Sequence, residues 1–369
     1  MPNGFTKRWL AGALVALAVS AAYLYGYPSA TISYALLVLF HIAAGIVFTV
    51  LLLLSALRLL PKETSLARLG WILLAAGGLL GTVLIKIGTP LRFRVWLYAH
   101  IALCVLGTLF VATSWMASRG WCGTGLVRQA LGFLTLTLLA GTIAAGMWRT
   151  REWGWRNAKA NRIANPLMPP ESMDQEGDGA QGKFFPSSAQ TRHGGSIPSQ
   201  YFMKSDACQR CHADIYAQWN SSMHHFSSFN NQWYRKSIEY MQDVVGVRSS
   251  KWCAGCHDPA LLYSGLFDTP IKQIVDRPEA RAGLGCLMCH SIVEVKSTMG
   301  QGDFFLEYPK LHELAASENP WARELHDFVV RLNPEPHRRT FLKPFMRADT
   351  AEFCSSCHKV HLDVPVNHY

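Results

Sequence analysis

The chain has no run of basic residues and no nucleic-acid-binding motif, although 35 Lys and Arg against 25 Asp and Glu leave a formal charge of +10. That absence excludes a polyanion site as the reason for the basic balance. It also has no internal repeat of fixed length, and no βαβ pattern that would place a dithiol in a thioredoxin-like setting. Outside four short motifs its cysteines are only Cys104 and Cys122. These are too few for a disulfide framework, and both read as small apolar residues. Long hydrophobic runs are scarce as well, but in one half only. Residues 149–369 are polar, aromatic and His-rich, whereas 9–148 are dominated by Leu, Ala, Val, Ile and Gly. A chain of 369 residues has room for two or three domains. The split implies a membrane part followed by a soluble one.

What is present is one five-residue pattern in four copies: Cys208-Gln-Arg-Cys211-His212, Cys253-Ala-Gly-Cys256-His257, Cys286-Leu-Met-Cys289-His290 and Cys354-Ser-Ser-Cys357-His358. C-x-x-C-H is the attachment signature of c-type haem. Two thiols one helical turn apart can form thioethers with both vinyl groups of one porphyrin, and the next residue brings an imidazole to the iron. Zinc sites and redox dithiols have no need of that His. Eight of the ten cysteines are used in this way. The pattern therefore predicts four covalent haems, with His212, His257, His290 and His358 as proximal ligands. Such haems are attached on the outer side of the energy-transducing membrane, after export. The chain is thus expected in the bacterial cytoplasmic membrane, multi-pass, with its haem domain on the periplasmic side. Two propionates per haem offset most of the positive excess.

Each iron needs a second axial ligand, and the residue type sets its potential. Outside the motifs the polar half offers His193, His224, His225, His312, His326, His337, His361 and His368. Eight candidates for four irons favour bis-His ligation. His224 and His361 lead, followed by His337 and His312. His326 reads equally as a solvated helix-face residue and His193 as an exposed one. Met223, Met241, Met288 and Met346 read as packing residues. Short helices are expected around each motif, and Asn319-Pro320 signals a further helix with a cap and a first-turn proline. With few long apolar stretches, the porphyrins are expected to supply much of this core. Trp148, Trp153 and Trp155, interleaved with Arg149, Arg151 and Arg156, read as an interfacial anchor. Beyond Asn165 the chain turns to Pro, Gly and Ser, as an extended connector laid over the haem domain.

Five apolar stretches are long enough to span a bilayer: Trp9 to Tyr25, Ile32 to Leu57, Leu66 to Ile87, Val95 to Ala117 and Leu126 to Trp148. The first is either a signal peptide or an uncleaved anchor, and the anchor is preferred. The predicted fold is all-α: a membrane bundle over 1–148, the connector over 149–205, and a haem-dominated domain of short helices and loops over 206–369. His41 and His100 sit within the bilayer, where ionisable groups are costly and default to function. Stretches two and four run parallel, and each His lies within about three turns of the same end. Ala43, Ala44, Gly45, Gly77, Gly78, Gly81, Gly141 and Gly146 leave gaps of the kind a macrocycle needs, and small residues also serve ordinary helix packing. The pair is a candidate bis-His site for one b-type haem. Lys86, Arg92 and Arg94 either pair with its propionates or snorkel to lipid phosphate.

Two resemblances follow. Cys208 to His224, with Tyr216, Trp219 and Ser222, resembles the multihaem cytochromes related to the tetrahaem cytochrome c of nitrifiers and to hydroxylamine oxidoreductase. Lys251 to Pro259 and Cys354 to Leu362 are similar to a broad set of exported multihaem proteins. In similar proteins the chain continues beyond the equivalent of His368-Tyr369 into further motifs, so this sequence is expected to be part of a longer one. The first half is similar to the four-helix b-type cytochromes of quinone-linked dehydrogenases, with one ligand pair instead of two. Together the resemblances imply electron transfer between the quinone pool and an extracytoplasmic acceptor, through one b haem and a chain of c haems, with membrane lipid and a redox protein as partners. Two alternatives stay open. One is a catalytic multihaem reductase or oxidase of a small nitrogen or sulfur compound. The other is a c-type wire with the helices as a passive anchor.

Overall fold

The computed structural model describes residues 3–121, 125–299 and 301–360. Cys122, His361 and His368 lie outside them. Contacts divide the chain into two compact units, Met1–Gly154 with Glu324–Arg339, and Trp155–Arg323 with Thr340–Tyr369.

The first unit is a bundle of α1 (Asn3–Gly26), α2 (Ile32–Leu59), α3 (Ser65–Ile87), α4 (Arg94–Ser118) and α5 (Leu126–Trp148). The shortest has 23 residues, about 35 Å at 1.5 Å per residue, enough to cross a hydrocarbon core of about 30 Å. All five are long and apolar enough to cross a membrane, and the chain reads as a multi-pass membrane protein. Thr31 and Thr64 cap α2 and α3 by accepting from the amides of Tyr34 and Ala67, each at 3.2 Å. Leu10, Phe48, Leu52, Ala67, Trp71 and Leu74 form the buried seam of α1, α2 and α3. α3 and α4 meet most closely, where Gly70 and Gly107 face each other and any Cβ would touch the other's carbonyl. Without a hydrophobic drive inside lipid, such small residues let helices gain dispersion contacts. Leu54, Leu57 and Leu126 point outward, fully suited to lipid.

One end of this bundle is closed by a segment from far along the sequence. The helices α11 (Pro320–Leu332) and α12 (Glu335–Phe341) carry residues 324–339 into the first unit. Asn319 caps α11 by accepting from the Trp321 amide at 2.9 Å, as its sequence predicts. Phe328 and Leu332 pack against Tyr34, Val38, Leu24 and Ile42. Thr89 donates its amide to the Arg331 carbonyl at 2.9 Å and its hydroxyl to the Leu332 carbonyl at 2.8 Å. Gly88 adopts φ 72°, and a Cβ there would collide with Arg331. Asn333 donates to the Tyr34 hydroxyl at 2.8 Å. Glu335 meets Arg151 at 3.1 Å, Arg338 at 2.7 Å and Arg339 at 2.8 Å, and Arg339 reaches Glu152 at 2.6 Å.

Burial opposes the charge on Glu335, but hydrogen bonds from Arg338, Arg339 and Arg151 outweigh it and bring the carboxyl down to about 2. A carboxylate held below its unfolded value of about 4.3 contributes stability that is complete above that value and lost as pH falls towards 2. Acidifying from pH 5 to pH 2 is therefore expected to loosen residues 324–339 first. Glu335→Gln should remove that pH dependence and cost about 2 kcal/mol at neutral pH, a buried-pair loss reduced by partial exposure. Hydrogen exchange resolved to the segment checks both.

The second unit carries α6 (Asp206–Gln209), α7 (Ala213–Asn220), α8 (Gln232–Val245), α9 (Val247–His257), α10 (Cys286–His290) and α13 (Glu352–His358), with shorter turns between. Its only sheet among the described residues is small: β1 (Gln190–Thr191) runs parallel to β3 (Phe304–Leu306), which pairs antiparallel with β2 (Ile292–Val295). Side chains alone already form a core in this unit. Phe202, Leu261, Leu262, Tyr263, Phe267, Leu287, Met288, Phe304 and Leu306 are buried together. They come from short segments, so no long apolar run announces them. Residues 184–202 likewise do not lie over the unit but enter it, with Phe184, Ala189, Ile197 and Tyr201 in the same core. Phe267→Ala is expected to lower the stability of this unit by about 3–5 kcal/mol, read from the denaturation midpoint at constant slope.

Candidate haem sites

In each motif the local fold puts both thiols and the imidazole on one side. His257, His290 and His358 are the last residues of α9, α10 and α13. Cysteines at i and i+3 and a His at i+4 are neighbours on one helical face. The first motif uses a turn instead: the amides of Cys211 and His212 donate to the Cys208 carbonyl at 3.2 and 2.9 Å, and α7 starts directly after His212. All eight motif cysteines are free of disulfides.

The motifs lie close enough for their thiols to interact: Cys208 with Cys286, Cys256 with Cys357, and Cys289 with both Cys354 and Cys357. Contact with Cys286 and burial push the Cys208 thiol up, while the same contact draws Cys286 down to about 6. Burial raises Cys253 to about 11 and Cys289 to about 12. Once made into thioethers, these sulfurs lose their protons and their donor role, so the apolar surroundings suit the attached form.

The imidazoles show which nitrogen is offered. His257 donates Nδ1–H to the Ser227 carbonyl at 2.7 Å, and His290 to the Phe341 carbonyl at 2.5 Å. A carbonyl only accepts, so Nδ1 carries the proton and Nε2 keeps its lone pair for a metal. The His257 ring also stacks on Tyr234, 4.4 Å between centroids and 13° between planes. Tyr234 and Ser228 both donate to Asp258, whose carboxyl burial pushes up to about 7. This network beside the second motif was missed in the sequence, because Tyr234 and Ser228 lie 24 and 30 residues from Asp258.

Of the distal candidates, the structure brings His224 to the fourth motif. Its ring centroid lies 6.1 Å from that of His358, at 58°. Two metal–nitrogen bonds of about 2 Å each plus two half-widths of an imidazole give a separation of this size. The Leu284 amide holds the His224 carbonyl at 2.8 Å, and Gly283 at φ 58° lets the backbone come under it, where a Cβ would collide. His225 instead binds the Asn220 carbonyl through Nδ1 at 3.0 Å and packs on Trp219. His312 is buried between Tyr201 and Phe341. His337 lies on α12 in the first unit, and His326 pairs with Asp327 at 2.9 Å. His193 is exposed. His361 lies outside the described residues.

In the bundle, His41 lies on α2 and His100 on α4. Ser20 donates to the Leu17 carbonyl at 3.0 Å and so accepts from His41 Nδ1 at 2.8 Å. His100 donates Nδ1–H to the Gly77 carbonyl at 2.8 Å. Both histidines therefore keep Nε2 free for a metal, the tautomer that haem requires. The gaps expected at Gly77 and Gly78 are corrected: Cys104 fills the first and Thr49 the second. Gly81 lies under the His100 ring, and Gly141 and Gly146 face open space.

Compared with known proteins, residues 207–291 match the family described as cytochrome c554 and c-prime, a stretch holding the first three motifs. The likeness defines the class: an electron carrier with covalently bound c-type haem. With the five membrane-competent helices it describes a multi-pass membrane cytochrome of c type. No curated protein and no solved structure matches the chain significantly.

Proposed function

We propose that this chain passes electrons between the quinone pool and an extracytoplasmic acceptor, in the manner of the nitrifier tetrahaem cytochromes, through one b-type haem in the bundle and four c-type haems in the second unit. Bound haem supplies a one-electron iron couple at each site. The observation that carries the reading is that all four C-x-x-C-H motifs fall in one compact unit, Trp155–Arg323 with Thr340–Tyr369. The chain's own part is placement. The motif cysteines would hold each porphyrin covalently, and His212, His257, His290 and His358 would ligate the irons, His257 and His290 through Nε2 because their Nδ1 protons are committed. His224 would serve as a second ligand at the site of His358, and His312 and His361 are the candidates for other irons of this unit. Burial among Tyr263, Leu287 and Met288 excludes water and sets potentials. His41 and His100, oriented by Ser20 and the Gly77 carbonyl, hold the b haem where a lipid-soluble carrier can reach it. The haem unit lies on the periplasmic side of the cytoplasmic membrane. Full occupancy by two imidazoles per iron leaves no open position, which disfavours small-molecule catalysis.

The test is a pyridine haemochrome of the purified chain, with haem counted by mass. Four c-type haems and one b-type haem per chain are expected, and a quinol analogue should reduce both types. A c component alone would reduce the helices to an anchor and overturn the quinone half of the reading.

A further inference from the structure

Residues 64–151 contain no Asp or Glu, yet Lys86 in the last turn of α3, Arg92 in the connection and Arg94 at the start of α4 stand at one end of the two helices. α11 adds Arg331, whose side chain packs on Gly88 and whose carbonyl accepts from Thr89 at 2.9 Å. Lys86, Arg92 and Arg331 are exposed. Among the described residues none of the four makes an ion pair. Arg92 lies over the Phe93 ring at 4.8 Å and Arg331 over Phe328 at 5.7 Å, which fixes the guanidinium groups without neutralising them. The patch borders the ends of two spans, and directly beside it Leu91, Val95 and Trp96 face outward. Arg92 and Arg94 also stand at the positive end of α4, where cations are disfavoured.

We propose that Lys86, Arg92, Arg94 and Arg331 bind the phosphate of an anionic phospholipid at this rim of the bundle. The cations carry charge of the right sign at headgroup depth, and the neighbouring apolar face is continuous with the surface that meets the acyl chains. Segment 324–339 completes the site by delivering Arg331. The proposal does not depend on the redox reading.

The test is native mass spectrometry of the full chain, released from nanodiscs of mixed phosphatidylglycerol and phosphatidylcholine. The unaltered chain should retain phosphatidylglycerol selectively, and millimolar inorganic phosphate should not displace it. Each cation removed should weaken retention about fivefold. Lys86→Gln, Arg92→Gln and Arg331→Gln together should weaken it on the order of a hundredfold, and Arg331→Gln alone gives a milder arm. Arg58→Gln, Lys62→Gln and Arg68→Gln, at the opposite end, should change nothing. Equal retention of both lipids by the unaltered chain overturns the proposal. So does displacement by free phosphate. A triple variant that keeps its lipid but loses b-type absorbance would assign the patch to haem propionates instead, and overturns it too.

Discussion

Alanine at His41, or separately at His100, is expected to abolish the b-type absorbance and quinol-dependent reduction while all four c haems remain attached. The geometry makes the effect all-or-none. Each imidazole has its Nδ1 proton committed, to Ser20 Oγ in one case and the Gly77 carbonyl in the other, so Nε2 is the ligand offered. Removing either ring leaves one ligand where two are needed, and no other described His belongs to α1–α5. Ser20→Ala keeps the ligand and loses only its orienting partner. Loss of such a partner weakens metal binding by about 10–100-fold, so this variant should retain b haem poorly and release it on dilution. The readout is the dithionite-minus-oxidised spectrum alongside the haem count. If b haem persists at full occupancy in both alanine variants, the ligand assignment fails.

The second large effect concerns the attachment thiols. Replacing Cys253 and Cys256 together by Ser should yield a chain with three covalent haems, and should destabilise more than the second site. Cys256 is in contact with Cys357 of the fourth motif, while His257 stacks on Tyr234 and binds the Ser227 carbonyl. Losing one haem therefore opens a void beside another and frees a buried network built on Asp258. Vacating a volume of that size in a close-packed core costs several kcal/mol, more than a small unit commonly holds in reserve. The expected outcome is low accumulation, protease sensitivity of residues 155–323, and a mass short by one haem. Four haems by mass in that variant would show that the motif is not an attachment site.

The bundle was legible because its signals are local. Five apolar runs are read from neighbouring residues, and the limits of α2 to α5 follow within two positions, although α1 begins six residues earlier than its run. The same holds for the four motifs and for the cap at Asn319. What could not be read is whatever joins distant residues. His224 and His358 are separated by 134 positions, yet their ring centroids lie 6.1 Å apart. Nothing in Glu335 or Asn333 announces Arg151 or Tyr34 as partners. The core of the second unit was missed for the same reason: Phe184, Tyr263 and Phe304 stand in short apolar clusters far apart in the chain, and only the fold assembles them. At Gly77 and Gly78 the composition was right and its use was not, since small residues serve close helix contacts as readily as cofactor gaps.

Residues 324–339 have a practical consequence. A water-soluble fragment cut near residue 155 would keep every c-haem motif, but it would also keep this stretch without the helices it covers. Phe328 and Leu332 would meet solvent, and Glu335 would lose Arg151 as a partner. Such a fragment should self-associate through that orphaned stripe. During synthesis the bundle likewise stays open at one end until residue 339 has been made, after three of the four motifs and before the fourth.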